Sequence, residues 1–198
     1  MTAAIVLAAG ASSRMGSPKG LLPVGEKTLL ETVLGTLRKL HVGPIGVVLG
    51  AHTEAYLRAV PPHGFQYILH GGWERGRTSS VKAGISFLGE ECLGTLIWPV
   101  DHPFVRKETI LHLLETGSKT SGSWVVPRFQ GTRGHPPFLS NRALREVLTY
   151  PDEDPLHRYP REHPEEVVEV DVSDPGVLRN IDTPADLTAA LESWKPEG

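Results

Sequence analysis

The chain has 198 residues, and 20 Lys and Arg stand against 23 Asp and Glu for a formal net charge of −3, which excludes a general electrostatic attraction to nucleic acid or to an anionic membrane. Hydrophobic residues make up 39% and charged ones 22%, an ordinary globular mixture long enough to bury its own core, so a single domain over residues 1–198 is expected. One cysteine, Cys92, excludes an intramolecular disulfide and a zinc site made of cysteines, and it fits a reducing cytoplasm.

In chain order, the apolar residues 4–8 are too few for a helix and predict a short buried strand. No basic residue precedes them, and no apolar stretch approaches the ~20 residues of a membrane span, so a soluble protein without a signal peptide is expected. Residues 28–40 predict a helix. Leu29, Leu30, Val33, Leu34, Leu37 and Leu40 share one face, Thr28 and Glu31 have capping-box spacing, and Gly43 and Pro44 stop it. Strands are predicted over 45–49, 65–69 and 95–100. Helices are predicted over 53–60, ended by Pro61; over 79–88; and over 106–115, ended by Gly117. Later strands fall at 123–126 and 167–172. Thr183, Pro184 and Asp186 open a last helix as cap, first-turn proline and first-turn acid. Residues 151–164, with four prolines and mixed charges, read as an ordered excursion or a mobile loop. The alternation of strands and helices predicts an α/β fold: a mostly parallel, Rossmann-like sheet in a three-layer arrangement. Ligands of such sheets gather at the carboxyl ends of the strands, so the loops after Ala8, Leu69 and Val100 are the places for a site.

The first of these loops, residues 9–19, is built of Gly, Ala and Ser around Arg14 and Lys19. Small residues let backbone N–H groups approach an anion, and two cations neutralise it, as a triphosphate requires. The loop has neither the Gly-Lys-Ser/Thr of a Walker loop nor the dinucleotide Gly-x-Gly-x-x-Gly. The same composition also suits a flexible connection with two solvated charges. Asp101 follows a buried strand and is a hard oxygen ligand suited to Mg²⁺, or a cap for the segment at Pro103. Asp182 precedes the last helix and offers a second metal contact or a local turn hydrogen bond. Asn180 is the alternative ligand. No pair of histidines has zinc-helix spacing.

Together, Leu7-Ala8-Ala9-Gly10 with Arg14-Met15-Gly16 and Lys19 resembles the signature loop of the molybdopterin nucleotidyltransferases, the cytidylyl- and guanylyltransferases of the molybdenum cofactor, which share the nucleotide-diphospho-sugar transferase fold. Asp101-His102-Pro103 resembles that family's Asp-x-Pro, and Asp182-Thr183-Pro184-Ala185-Asp186-Leu187 its C-terminal segment. Ser79 and Ser80 resemble the Ser-rich helix start that faces the nucleotide, and Gly134-His135-Pro136 the turn on the acceptor side. Where members carry Gly-Asp-x-Gly-Ala-Arg, residues 152–158 keep an acid and a downstream Arg but lose the glycines.

The resemblance implies a nucleotidyltransferase. Arg14, Lys19 and Asp101 would be catalytic, and Leu7, Ala8, Ala9, Gly10, Ser79 and Ser80 would join Arg14 and Lys19 around the nucleotide. Asp101 and Asp182 would bind Mg²⁺, and Gly134 and His135 would lie on the acceptor side. Ala9, where the guanylyl branch usually has Gly, implies CTP. The implied acceptor is molybdopterin, with a transient molybdoenzyme partner, no nucleic acid and no membrane, in the cytoplasm. The alternatives are GTP with the same acceptor, a sugar-phosphate acceptor, or a non-enzymatic cofactor carrier.

Overall fold

In the computed structural model, which describes residues 2–88 and 92–194, the apolar run near the N-terminus is strand β1 (Thr2–Ala8). Its alternate residues serve two cores. Ala4, Val6 and Ala8 pack with Leu30, Val33, Leu34 and Leu37 on one face, while Ile5, Leu7 and Ala9 pack with Val81, Ala143 and Leu144 on the other. A strand covered on both faces has no use for polar residues, which is why it reads as a continuous apolar run.

The remaining elements follow as β2 (Pro23–Val24), β3 (Lys27–Thr28), α1 (Leu29–Lys39), β4 (Ile45–Leu49), α2 (Thr53–Ala59), β5 (Gln66–Leu69), α3 (Arg77–Leu88), β6 (Gly94–Pro99), α4 (Lys107–Lys119), β7 (Trp124–Phe129), β8 (Thr132–Arg133), β9 (Phe138–Ser140), α5 (Asn141–Val147), α6 (Arg158–Glu162), β10 (Val167–Asp171) and α7 (Pro184–Ser193). The main sheet runs β10-β7-β9-β6-β1-β4-β5, with β8 paired to β7. β1 is parallel to both neighbours, Val6 standing opposite Val47 and Trp98. Helices α1 and α4 contribute to one core and α3 and α5 to the other, giving the expected three layers with a mostly parallel sheet.

Two details depart from the sequence reading, and one alternative it left open is decided. β9 is antiparallel to both β6 and β7; its three residues follow Pro136-Pro137 and carry too little periodicity to stand out. Gly117 lies inside α4 instead of ending it. A side chain there would meet the Phe138 ring, so this glycine answers close packing of helix on strand. The excursion at 151–164 is ordered and contains α6. Lys82 donates to Tyr150 O (2.7 Å) and pairs with Asp152 (2.9 Å), which also holds Arg75 (2.7 Å).

A third, smaller core joins Val24, Leu29, Phe104, Ile181 and Ala190. It clamps the C-terminal segment against the carboxyl end of the sheet. No helix among the described residues is long and apolar enough to cross a membrane.

Candidate active site

A cavity of about 370 Å³ opens where β1 and β6 end. The loop leaving β1 starts inside the sheet: Val100 N donates to Leu7 O (3.0 Å) and Ala51 N to Ala9 O (3.1 Å). It then turns through Ser12 and Gly16, both at positive φ (51° and 68°). Lys19 N donates to Ser12 Oγ (3.1 Å) and Gly20 N to Tyr56 Oη (3.0 Å), closing the loop against α2. Leu7, Ala8, Ala9, Gly10, Arg14 and Lys19 all line the cavity, as do Ser80 and Asp101. Nothing stands within 4 Å of the position a Gly10 side chain would take, so its backbone is open to a ligand.

The two acids singled out at opposite ends of the chain meet on one cation. Lys19 Nζ lies 3.6 Å from Asp101 Oδ2 and forms a short hydrogen bond to Asp182 Oδ1, and Arg14 reaches Asp182 Oδ2 at 3.1 Å. Asp182 is brought there by the backbone: Ile181 N donates to Asp101 O (2.8 Å). In the turn before α7 it is the Asp186 carboxylate, not that of Asp182, that accepts from the backbone. Asp186 Oδ2 accepts from Asp182 N (3.0 Å) and Thr183 N (2.7 Å), completing a capping box, while Asn180 Nδ2 donates to Asp182 Oδ2 (3.1 Å). Lys19 is only 14% exposed at its side chain, so its attraction to the two acids is weakly screened by solvent.

Asp101 is further oriented by His102, whose Nδ1 stands 2.9 Å from Asp101 Oδ1. Burial opposes ionisation of Asp101, but the hydrogen bond and charge of His102, with Lys19 and Arg77, hold its carboxyl below the usual range. The His135 ring packs on His102 with centroids 4.5 Å apart. Burial pushes the His135 imidazole down to about 3, helped by the charges of His102 and Arg77 and opposed by Asp101. Its Nδ1 is buried without a hydrogen-bond partner among the described residues. His135 N donates to Val177 O (2.8 Å), and Gly134 packs so closely on Val177 that a side chain there would strike its backbone. Gly134 and His135 therefore stand behind His102, beside the cavity and not in its lining.

Ser80 and Ser79 part ways. Ser80 faces the cavity, whereas Ser79 Oγ donates to Gly76 O (2.7 Å) and lies 2.9 Å from His70 Nε2. The acid and the downstream Arg of residues 152–158 are engaged with protein partners, Asp152 with Lys82 and Arg75, and Arg158 with Asp154 (2.6 Å) and Glu162 (2.8 Å). On the surface His163 Nε2 meets Glu146 (2.6 Å) near Glu162, carboxylates that also accept from Tyr150 and Arg158. The sequence reading gave no role to the cavity residues Tyr56, Trp73, Glu74 and Arg77, the last of which lies in the segment that resembles the Ser-rich helix start. Tyr56 reads as an ordinary apolar helix residue. Trp73 packs where a Gly50 side chain would otherwise be, a contact between segments that no local pattern announces.

The bifunctional protein GlmU of Gloeobacter violaceus is 35% identical over 115 residues, 57% of this chain, and the match spans 25% of that relative's length. Two relatives match nearly end to end. Molybdenum cofactor cytidylyltransferase of Escherichia coli is 26% identical over 96% of this chain and 95% of its own. Nicotine blue oxidoreductase of Paenarthrobacter nicotinovorans is 28% identical over 90% and 91%. Among solved structures, Rv0371c of Mycobacterium tuberculosis superposes with a TM-score of 0.84 and 26% identity, covering 97% of each chain; it has also been solved in complex with manganese. The MobA-like NTP transferase domain matches residues 4–167, a span that holds the loop after β1, Asp101 and the His135 turn, and on that match the chain belongs to this family of nucleotidyltransferases.

Proposed function

We propose that residues 1–198 act as one divalent-metal-dependent nucleotidyltransferase domain that moves CMP from CTP to a phosphate-bearing acceptor of the molybdopterin type. The observation that carries this reading is the convergence of Lys19 with Asp101 and Asp182 at a cavity whose floor is the open backbone of the β1 loop. Two carboxylates share one ammonium, which offsets only one of their two charges, so their converging oxygens still favour a cation. Their hard oxygens fit Mg²⁺, which takes one or two carboxylates and completes its shell with water and substrate phosphates. Asp101 and Asp182 would hold it, and it would supply charge neutralisation at the phosphates.

The protein's own residues do the rest. Backbone N–H groups of residues 10–16 cradle the triphosphate, and Arg14 and Lys19 neutralise it. An acceptor phosphate oxygen attacks the α-phosphorus. The new P–O bond forms as the bond to the α,β-bridging oxygen breaks, and pyrophosphate carries away the electron pair. The attacking oxygen is already anionic, so no strong general base is required; positioning and electrostatics carry the step. His102 holds Asp101 in place. Ala9 narrows the entrance toward a pyrimidine, though one methyl group discriminates by only ~1–3 kcal/mol and Ser80 must contribute. The resemblance to a molybdenum cofactor cytidylyltransferase supports both the base and the acceptor, and the single cysteine suits a cytoplasmic setting.

The test is pyrophosphate release with each of the four NTPs, molybdopterin, and Mg²⁺ or Mn²⁺. CTP is expected to turn over fastest. Equal or faster turnover with GTP overturns the base assignment, and release with a sugar phosphate alone overturns the acceptor. The likeness to nicotine blue oxidoreductase spans nearly the whole chain and favours a second reading. The same preparation is therefore assayed for reduction of nicotine blue with NADH or NADPH. Dye reduction without pyrophosphate release from any NTP would replace the transfer reading.

A further inference from the structure

Three cations line the cavity: Arg14, Lys19 and Arg77. The first two face carboxylates, as described. Arg77 is exposed, and among the described residues it has neither an ion pair nor a side-chain hydrogen bond. Its neighbours on the same stretch differ: Arg75 and Lys82 are both held by Asp152. Arg77 is also the first residue of α3, a helix of 12 residues, so the helix dipole adds to its positive potential.

Its placement in the fold is informative. Arg14 and Lys19 come from the loop after β1 and gather on Asp182. Arg77 comes from a different element, the start of α3, which is tied to the excursion at 151–164 where Thr78 Oγ1 donates to Asp154 O (2.5 Å). It therefore enters the cavity from the edge bordered by that excursion and not from the loop that carries the other two cations. We propose that Arg77 is the acceptor's phosphate-binding residue, a guanidinium that receives the phosphomonoester whose oxygen attacks the nucleotide.

The chemistry of the step calls for such a residue. Two anions, the acceptor phosphate and the triphosphate, must be brought into contact, and their repulsion opposes the approach. Arg14 and Lys19 are taken up by the triphosphate and by Asp101 and Asp182. A guanidinium with no carboxylate partner relieves that repulsion directly, and its planar fork fits two phosphate oxygens at once. This inference rests on the transfer reading for the identity of the acceptor, but the anion site can be measured without turnover.

The experiment compares wild type with Arg77→Gln and Arg77→Lys. Binding of α,β-methylene-CTP with Mg²⁺ is measured first and is expected to agree within about twofold across the three. Inorganic phosphate is then titrated into the nucleotide-loaded proteins. The expected result is a loss of phosphate affinity of at least tenfold in Arg77→Gln and a partial loss in Arg77→Lys, which keeps the charge without the fork. In pyrophosphate-release assays the KM for molybdopterin should rise at least tenfold in Arg77→Gln, with kcat within about threefold. The proposal is overturned if Arg77→Gln weakens nucleotide binding as much as phosphate binding, if phosphate affinity is unchanged, or if the loaded wild type binds no phosphate in the millimolar range. Should molybdopterin prove not to be the acceptor, the phosphate titration still decides the role of Arg77.

Discussion

Lys19 is the residue on which both ends of the chain depend. Its ammonium bridges two carboxylates 81 positions apart, so Lys19→Ala removes a phosphate contact and leaves Asp101 and Asp182 without their shared cation. We expect kcat/KM to fall by about 10²–10³, the scale of one preorganised electrostatic contact, while the fold survives. Wild-type turnover in that variant would remove Lys19 from the mechanism. Asp101→Asn should reduce kcat far more than it lowers Tm, and Asp182→Asn should do the same to a smaller degree. Titration with Mg²⁺ separates the roles: full activity of Asp101→Asn at limiting Mg²⁺ would exclude it as a metal ligand. His135, held near 3 by burial, is expected to stay neutral from pH 5 to 8. Its imidazole NMR signals should not titrate in that window, and a titration there would show that the ring is more open to water than its packing on His102 indicates.

At the scale of elements, the helix caps and one glycine make distinct predictions. Thr183 caps α7 and Asp186 completes the box, so Thr183→Ala should destabilise the protein by about 1 kcal/mol. Because Asp182 immediately precedes the cap, the same change should lower activity. Asp186 has its carboxyl held below the usual range by hydrogen bonds from the Thr183 side chain and from the backbones of Thr183 and Asp182. The sign follows from linkage: a depressed folded pKa contributes stability above the unfolded value of about 3.9, and that contribution is lost as pH falls through the folded value. Amide exchange in α7 should therefore accelerate below about pH 4, and Asp186→Asn should remove that acid-induced step. Gly117 separates helix propensity from packing. Ala gains up to about 1 kcal/mol over Gly in a helix interior, but a methyl group here meets the Phe138 ring, and overpacking costs about 1–3 kcal/mol. Gly117→Ala should lower Tm; a rise would show that β9 yields easily.

For the molecule as a whole, the site exists because three segments are docked at the carboxyl end of one sheet. The loop after β1 and Asp101 after β6 are neighbours by strand pairing, but Asp182 arrives only through the small core around Ile181 and the Ile181 N to Asp101 O hydrogen bond. Ile181 is fully buried. Ile181→Ala should cost about 2–5 kcal/mol and, for a chain of this size, roughly 4–20 °C in Tm at about 2–4 °C per kcal/mol. Surviving folded protein should show a weakened response to Mg²⁺, since Asp182 loses its anchor. An unchanged Mg²⁺ dependence at full folding would mean that Asp182 is held by Lys19 and Arg14 alone.

The sequence by itself determined the parallel half of the sheet, the helices that cover it and the family loop. Each of these has a local cause: a continuous apolar run for a doubly covered strand, a 3.6-residue stripe and capping box for α1, and small residues with two cations at the end of β1. Residues 4–8, 45–49 and the capping residues Thr28 and Thr183 carried those signals in their own neighbourhoods. Only the tertiary structure decided the rest. The antiparallel β9 draws its stability from two neighbouring strands and not from its three residues. The glycine inside α4 is explained by a phenylalanine 21 positions away. Ser79 turned inward to His70, Trp73 took the space beside Gly50, and Arg77 was left in the cavity without a carboxylate partner among the described residues. These outcomes depend on which segments touch, and contact between distant segments leaves no periodicity along the chain for a sequence reading to detect.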